Sequence, residues 1–219
     1  MARTPRADPE GTRRRPGPRR PWGLPSGPDE VTRAVLDAAA RLFTRDGVSA
    51  VTMRDIAKEA RVNLALIGRY IGSRDELVRA VLADLSDQVV AQIRSDPTGE
   101  HGFDPDSVAG RWTRVLTHLV ISDPGTAIEF GSGPVKEMRE VAAAIYGVPE
   151  EVSRLRIAQV FASALGWRIF EDFLVSAAGL DAGSLEDLRS ELNHTHRRLA
   201  ATPLPSPPDP EVRRDPDRG

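Results

Sequence analysis

From Ser26 to Leu199 the apolar residues recur at three- and four-residue spacing, and no stretch of strand length alternates apolar with polar. That spacing is the helical one. It confines the chain to an all-α fold in which each helix buries a stripe against its neighbours.

Start and stop signals divide the pattern. Ser26 is the expected N-cap of a first helix, with Pro28 and Asp29 behind it and Val31, Val35, Ala38, Ala39, Leu42 and Phe43 as its stripe. Gly47 ends it. Thr52 opens a short second helix, and Asp55 stands at capping-box spacing. Asn63 caps a third, carrying Leu64, Ile67 and Tyr70. Ser73 caps a fourth, whose stripe runs from Leu77 to Val89, and residues 95–105 read as a loop. A helix with Trp112, Val115, Leu116 and Leu119 follows, broken at Asp123-Pro124-Gly125. The stretch to Gly133 reads as a short helix or turn, and Pro134 as the start of a new helix ending at Tyr146. The longest helix is expected from Pro149 to about Ala178, and a last one from about Ser184 to Leu199.

Composition closes off several chemistries. The chain has no Cys, which excludes disulfides, thiolate nucleophiles and Cys-based zinc sites and fits a cytoplasmic location. No apolar run approaches the roughly 18 residues needed to span a membrane. No P-loop, dinucleotide fingerprint, nucleophile elbow or paired-His motif occurs, so neither an enzyme nor a cofactor or metal site is expected. His194 and His196 are two apart and fall on different helix faces. The net charge of −2 is not that of a basic protein, but seven Arg stand among the first 28 residues. That Arg/Pro-rich segment reads as disordered, either a basic arm along phosphates or a solubilising tail.

The informative stretch is 47–77, two short helices joined by a tight turn and flanked by amphipathic ones. This is the outline of a helix-turn-helix, in which one helix braces the backbone and the next enters the major groove. The run Gly47-Val-Ser-Ala-Val-Thr52-Met-Arg-Asp-Ile56-Ala57-Lys-Glu-Ala60-Arg-Val62-Asn63 closely resembles the TetR-family pattern. So does Leu66-Ile67-Gly68-Arg69-Tyr70-Ile71-Gly72-Ser73-Arg74-Asp75-Glu76-Leu77, and the resemblance covers about 29–85. It departs at Arg61, where the family usually holds Gly, so the turn must accommodate a Cβ in a left-handed conformation. It departs again at Gly68 (usually Tyr), Ile71 (usually Phe) and Arg74 (usually Lys).

The resemblance implies an N-terminal three-helix DNA-binding head and a C-terminal helical body for ligand binding and dimerisation. The expected organisation is a disordered tail (1–25), a head (26–85, motif 52–71), a body (86–201) and a disordered tail (202–219). The implied function is a sequence-specific repressor, released from a palindromic double-stranded operator by an unknown small-molecule effector. Expected DNA contacts are Thr52 to a phosphate, Asn63, Leu64 and Ala65 to base edges, Arg69 to guanine or phosphate, and Tyr70 and Arg74 to phosphates, with Arg54 beside them. Between 29 and 77 basic and acidic residues balance at eight each, so affinity must come from placement.

The longest helix is apolar on more than one face, which suits a helix pair meeting its twin in a homodimer. Phe161, Leu165, Ile169 and Leu192 are the interface candidates, intramolecular core being the alternative for each. Trp112, His118, Phe130, Met138 and Trp167 are the candidate pocket lining, against plain core as the other reading. A helical interaction module that uses the head to bind protein is the competing function.

Overall fold

The computed structural model describes residues 24–97, 106–180 and 185–204. Both expected tails lie outside them, except for residues 24–25 and 202–204, as does most of the expected 95–105 loop. Among the described residues the chain is all helix: α1 (Pro28–Asp46), α2 (Met53–Glu59), α3 (Leu64–Tyr70), α4 (Arg74–Ser95), α5 (Val108–Ser122), α6 (Pro124–Tyr146), α7 (Glu150–Ala177) and α8 (Leu185–Ala201).

Local chemistry sets most boundaries. Gly27, not Ser26, is the N-cap of α1, and it has no side chain to offer. Ser26 instead donates its backbone N–H to Glu30 Oε2 at 2.9 Å. Thr52 and Asp55 form the reciprocal capping box of α2, and Ser73 and Glu76 form that of α4. The turn after α2 is a Schellman ending: Val62 N–H donates to Ala57 O at 3.0 Å and Arg61 N–H to Lys58 O at 3.2 Å. The left-handed residue it requires is Arg61, at φ 55°. A non-glycine there costs about 1–2 kcal/mol, which the two hydrogen bonds offset.

The expected break before Pro134 does not occur: α6 runs unbroken from Pro124 to Tyr146 with Pro134 inside it. A helix-interior proline withholds the N–H that should reach the carbonyl four residues back, here Phe130. The Ser86 hydroxyl of α4 supplies the missing donor at 2.7 Å. Ser86 Oγ in turn accepts from Trp112 Nε1 of α5 at 2.9 Å. The relay is buried and ties three helices at one point. Beside it, a Cβ on Gly131 would stand 2.5 Å from Leu116 Cδ1, so glycine is what lets α6 close on α5.

One apolar core runs through α1 to α6, from Val31 and Phe43 to Leu85, Trp112 and Ala127. A smaller cluster of Ala142, Ile157 and Ala200 joins α6, α7 and α8. The expected head–body boundary at 85/86 therefore falls inside α4, whose packing on α1, α5 and α6 makes it part of both. Residues 202–203, expected in the loose tail, are held by α7: buried Arg156 donates to Thr202 O at 2.8 Å and Pro203 O at 2.6 Å.

Candidate nucleic-acid interface

α3 has one fully buried residue, two half-buried ones (Leu66 and Tyr70) and an open outer face. Ile67 is fully buried against the α1–α4 core. Asn63, Leu64, Ala65, Gly68 and Arg69 are exposed. α1 and α2 brace the helix from behind. Asn63 Oδ1 accepts from Ala65 N–H at 2.9 Å, which uses one lone pair of the cap and leaves both amide donors. The Arg69 guanidinium lies over the Tyr70 ring at 5.5 Å. Tyr70 itself is half-buried and packs on the core, so its ring is a platform for Arg69 as well as a carrier of its hydroxyl. Arg54, Lys58 and Arg61 are exposed on α2 and the turn after it.

Two side chains expected to meet phosphates, Thr52 and Arg74, make hydrogen bonds within the protein. Thr52 Oγ1 donates to Asp55 Oδ2 at 2.6 Å and accepts from Asp55 N–H at 3.2 Å. Those bonds hold the Asp55 carboxyl below its ordinary range, so an anion already caps α2. Arg74 turns inward: Nη1 donates to Val51 O at 2.7 Å and Nη2 to Val48 O. Its guanidinium fork staples the 47–52 loop to the start of α4.

A second site lies in the body. A cavity of about 240 Å³ opens between α4, α5, α6, α7 and α8. Val89, Ile93, Trp112, Met138, Val160 and Phe161 form its apolar wall, and Gln92, Asp96, Thr113, Tyr146, Asn193, His196 and Arg197 are its polar groups. His196 is buried, with Nε2 2.9 Å from Ser163 Oγ, and burial pushes it below its ordinary value of 6.5. Of the expected lining, Trp112 and Met138 are present and the rest are not. Phe130 belongs to the Ser86 relay through its carbonyl. His118 is half-buried on α5, away from this cavity, with its pKa lowered by burial and then by Arg74. Trp167 Nε1 donates to Glu171 within α7, and Glu171 also accepts from Arg189, which ties α7 to α8.

The interface expectations divide in the same way. Phe161 meets Trp112 edge-on at 5.6 Å, and both Phe161 and Leu165 line the cavity, so they face the protomer's own interior. Leu192 is half-buried. Ile169 is 45% exposed, and sequence reasoning missed Phe170 and Phe173 beside it, 54% and 67% exposed. Their i, i+1, i+4 spacing on the outer side of α7 was the available signal.

The chain matches the model of the bacterial regulatory proteins, tetR family, over residues 35–81. It is 30% identical over 177 residues to an HTH-type transcriptional repressor of Mycobacterium tuberculosis, covering 80% of this chain and 92% of that protein. An HTH-type nicotine-responsive transcriptional repressor of Paenarthrobacter nicotinovorans is 41% identical over 89 residues, 41% of this chain and 45% of that one. Among solved structures, a tetR-family transcriptional regulator from Streptomyces coelicolor superposes with a TM-score of 0.55 at 20% identity, over 80% of this chain and 82% of that one.

Proposed function

This chain belongs to the TetR family of bacterial regulatory proteins, and from that premise we propose that it is a repressor working as a homodimer, released from a palindromic operator by a small molecule. The family is one of DNA-binding transcriptional regulators, not of enzymes. The observation that carries the reading is the face of α3. Asn63, Leu64, Ala65, Gly68 and Arg69 stand outward together while Ile67 anchors the helix behind them.

On this reading Asn63 and Arg69 supply base-edge hydrogen bonds, and Leu64 and Ala65 supply apolar contact to thymine methyls. Arg54 is placed for backbone contact. Thr52 and Arg74 hold the helix-turn-helix in shape, and Tyr70 steadies Arg69. Two copies are needed because one seven-residue helix reads few base pairs. The exposed Ile169, Phe170 and Phe173 on α7 favour an isologous pairing there.

Effector release has a physical route in α4. Its first residue fastens the 47–52 loop, and Val89, Gln92 and Ile93 near its other end border the cavity. A ligand that favours one tilt of α4 shifts the spacing of the two α3 helices. The effector expected from the walls is a compact, largely apolar molecule with one hydrogen-bonding end. Within the described residues no helix is long and apolar enough to cross a membrane. Footprinting on a duplex recovered by in vitro selection tests the proposal. Wild-type protein should protect two inverted half-sites about one turn or a multiple apart, and protection of a single unpaired half-site would refute it.

A further inference from the structure

Gly68 is the fifth residue of α3 and lies on its exposed face. Nothing within the protein asks for glycine there. Its φ is not among the positive values of the described residues, so the backbone is one any residue adopts. A Cβ built on it meets no atom within 4 Å, in contrast to Gly131, where Leu116 stands in the way. Glycine in a helix interior is also a poor helix former. The features that explain Gly47, Gly72, Gly131 and Gly147, a positive φ or a close neighbour, are both missing at Gly68, as they are at Gly166 on α7.

The helical repeat places Gly68 beside Leu64, four residues back, and Ala65, three residues back. The three make a low patch, bounded by Asn63 at one end and Arg69 at the side. A helix whose middle carries no side chain can lie closer to the floor of a groove. The groups around that notch are apolar or small, and the apolar group on the major-groove floor is the thymine 5-methyl.

We infer that Gly68 is a specificity-determining residue: by leaving its position empty it lets α3 seat deeply enough for Leu64 and Ala65 to enclose thymine methyls of the operator half-site. The inference rests on α3 being the groove helix. It requires at least one T·A pair under the middle of α3 in each half-site. It also places the chief discrimination of this helix in shape and methyl contact, with Asn63 and Arg69 as flanking hydrogen-bond donors.

The test uses the full-length dimer and the duplex it selects from a random library, with a second duplex in which each half-site thymine is replaced by deoxyuridine. Wild-type protein should bind the deoxyuridine duplex about fourfold more weakly per methyl removed, the fold-change for one buried methyl-sized group. Gly68→Ala should fold at least as well, with Tm raised by ~2–4 °C from better helix propensity. It should nevertheless bind the thymine duplex at least tenfold more weakly and lose the deoxyuridine effect. A Gly68→Ala variant with unchanged affinity, or a wild-type protein indifferent to the methyls or selecting half-sites without thymine, would overturn the inference. An Asn63→Ala, Arg69→Ala variant run in parallel separates the two levels. If it loses the operator while Gly68→Ala keeps it, the role of Gly68 alone falls. If neither matters, α3 is not the groove helix and both readings fall.

Discussion

The Ser86 hydroxyl donates to the carbonyl of Phe130 at 2.7 Å, the carbonyl that Pro134 leaves without its helical N–H. Removing the hydroxyl orphans that half-buried carbonyl and the buried Trp112 indole N–H together. Ser86→Ala should therefore destabilise the protein by about 2–4 kcal/mol in urea unfolding at fixed protein concentration. Adding Pro134→Ala restores an N–H to Phe130, so the double variant should be less destabilised than the sum of the two singles. Additive effects would mean the serine and the proline are not coupled.

Arg74 separates scaffold from contact. One guanidinium reaches two carbonyls, Val48 and Val51, and a lysine ammonium cannot span them in the same geometry. Arg74→Lys should lower stability by roughly 1–2 kcal/mol, and Arg74→Gln, which removes the charge, should leave the dependence of log K on log salt unchanged. Arg69→Ala should reduce that salt slope by up to about 1 if Arg69 meets a phosphate. A shallower slope for Arg74→Gln would return Arg74 to the phosphate backbone.

Acid should loosen the body before the head. Burial depresses the pKa of His196 below 6.5 in the folded chain, and His118 shifts the same way. Above 6.5 both rings are neutral whether folded or not, and nothing is lost. As pH falls through 6.5 the unfolded chain takes up protons that the folded one refuses, so stability declines toward the depressed values. Asp55 and Glu76 lose stability in the same direction, as pH falls, but in a lower window. Their capping bonds keep them ionised to lower pH, and the caps hold until pH falls through pKa values below the ordinary 3.8 and 4.5. Thermal melts between pH 8 and 5.5 should show a falling Tm that flattens in a His118→Gln, His196→Gln variant. An identical slope in the variant would contradict the assignment.

Phe173 projects from α7 with two-thirds of its surface exposed. A glutamate there cannot be buried against a second copy without a large desolvation cost. Phe173→Glu should sediment as a monomer with an unchanged helical circular dichroism spectrum, and its operator affinity should fall at least a hundredfold. A dimer that survives the charge places the two-fold contact elsewhere.

The head was more legible than the body, for reasons of range. Capping boxes at Thr52 and Ser73 are written within four residues, and so is the left-handed turn forced on Arg61. Pro134 reads locally as a helix start because its remedy, Ser86, lies 44 residues before the Phe130 carbonyl that it serves. The scaffold role of Arg74 is hidden in the sequence because the carbonyls it holds are 23 and 26 residues back. On α7 periodicity reveals an excess of apolar residues without saying which face meets the protomer's own core. Phe161 and Leu165 turn inward to the cavity, and Ile169 and Phe173 outward. Three of the cavity's polar residues, Asn193, His196 and Arg197, sit on α8, far in sequence from the Trp112 wall they complete.

The most direct test of sequence-specific recognition through α3 is selection from a random duplex library, with wild-type protein and an Asn63→Ala, Arg69→Ala variant side by side. The account predicts an inverted repeat enriched by wild-type protein and lost by the variant, while both remain folded and dimeric. Failure of a folded wild-type dimer to enrich any sequence at low salt, or the same repeat recovered by the variant, would contradict it.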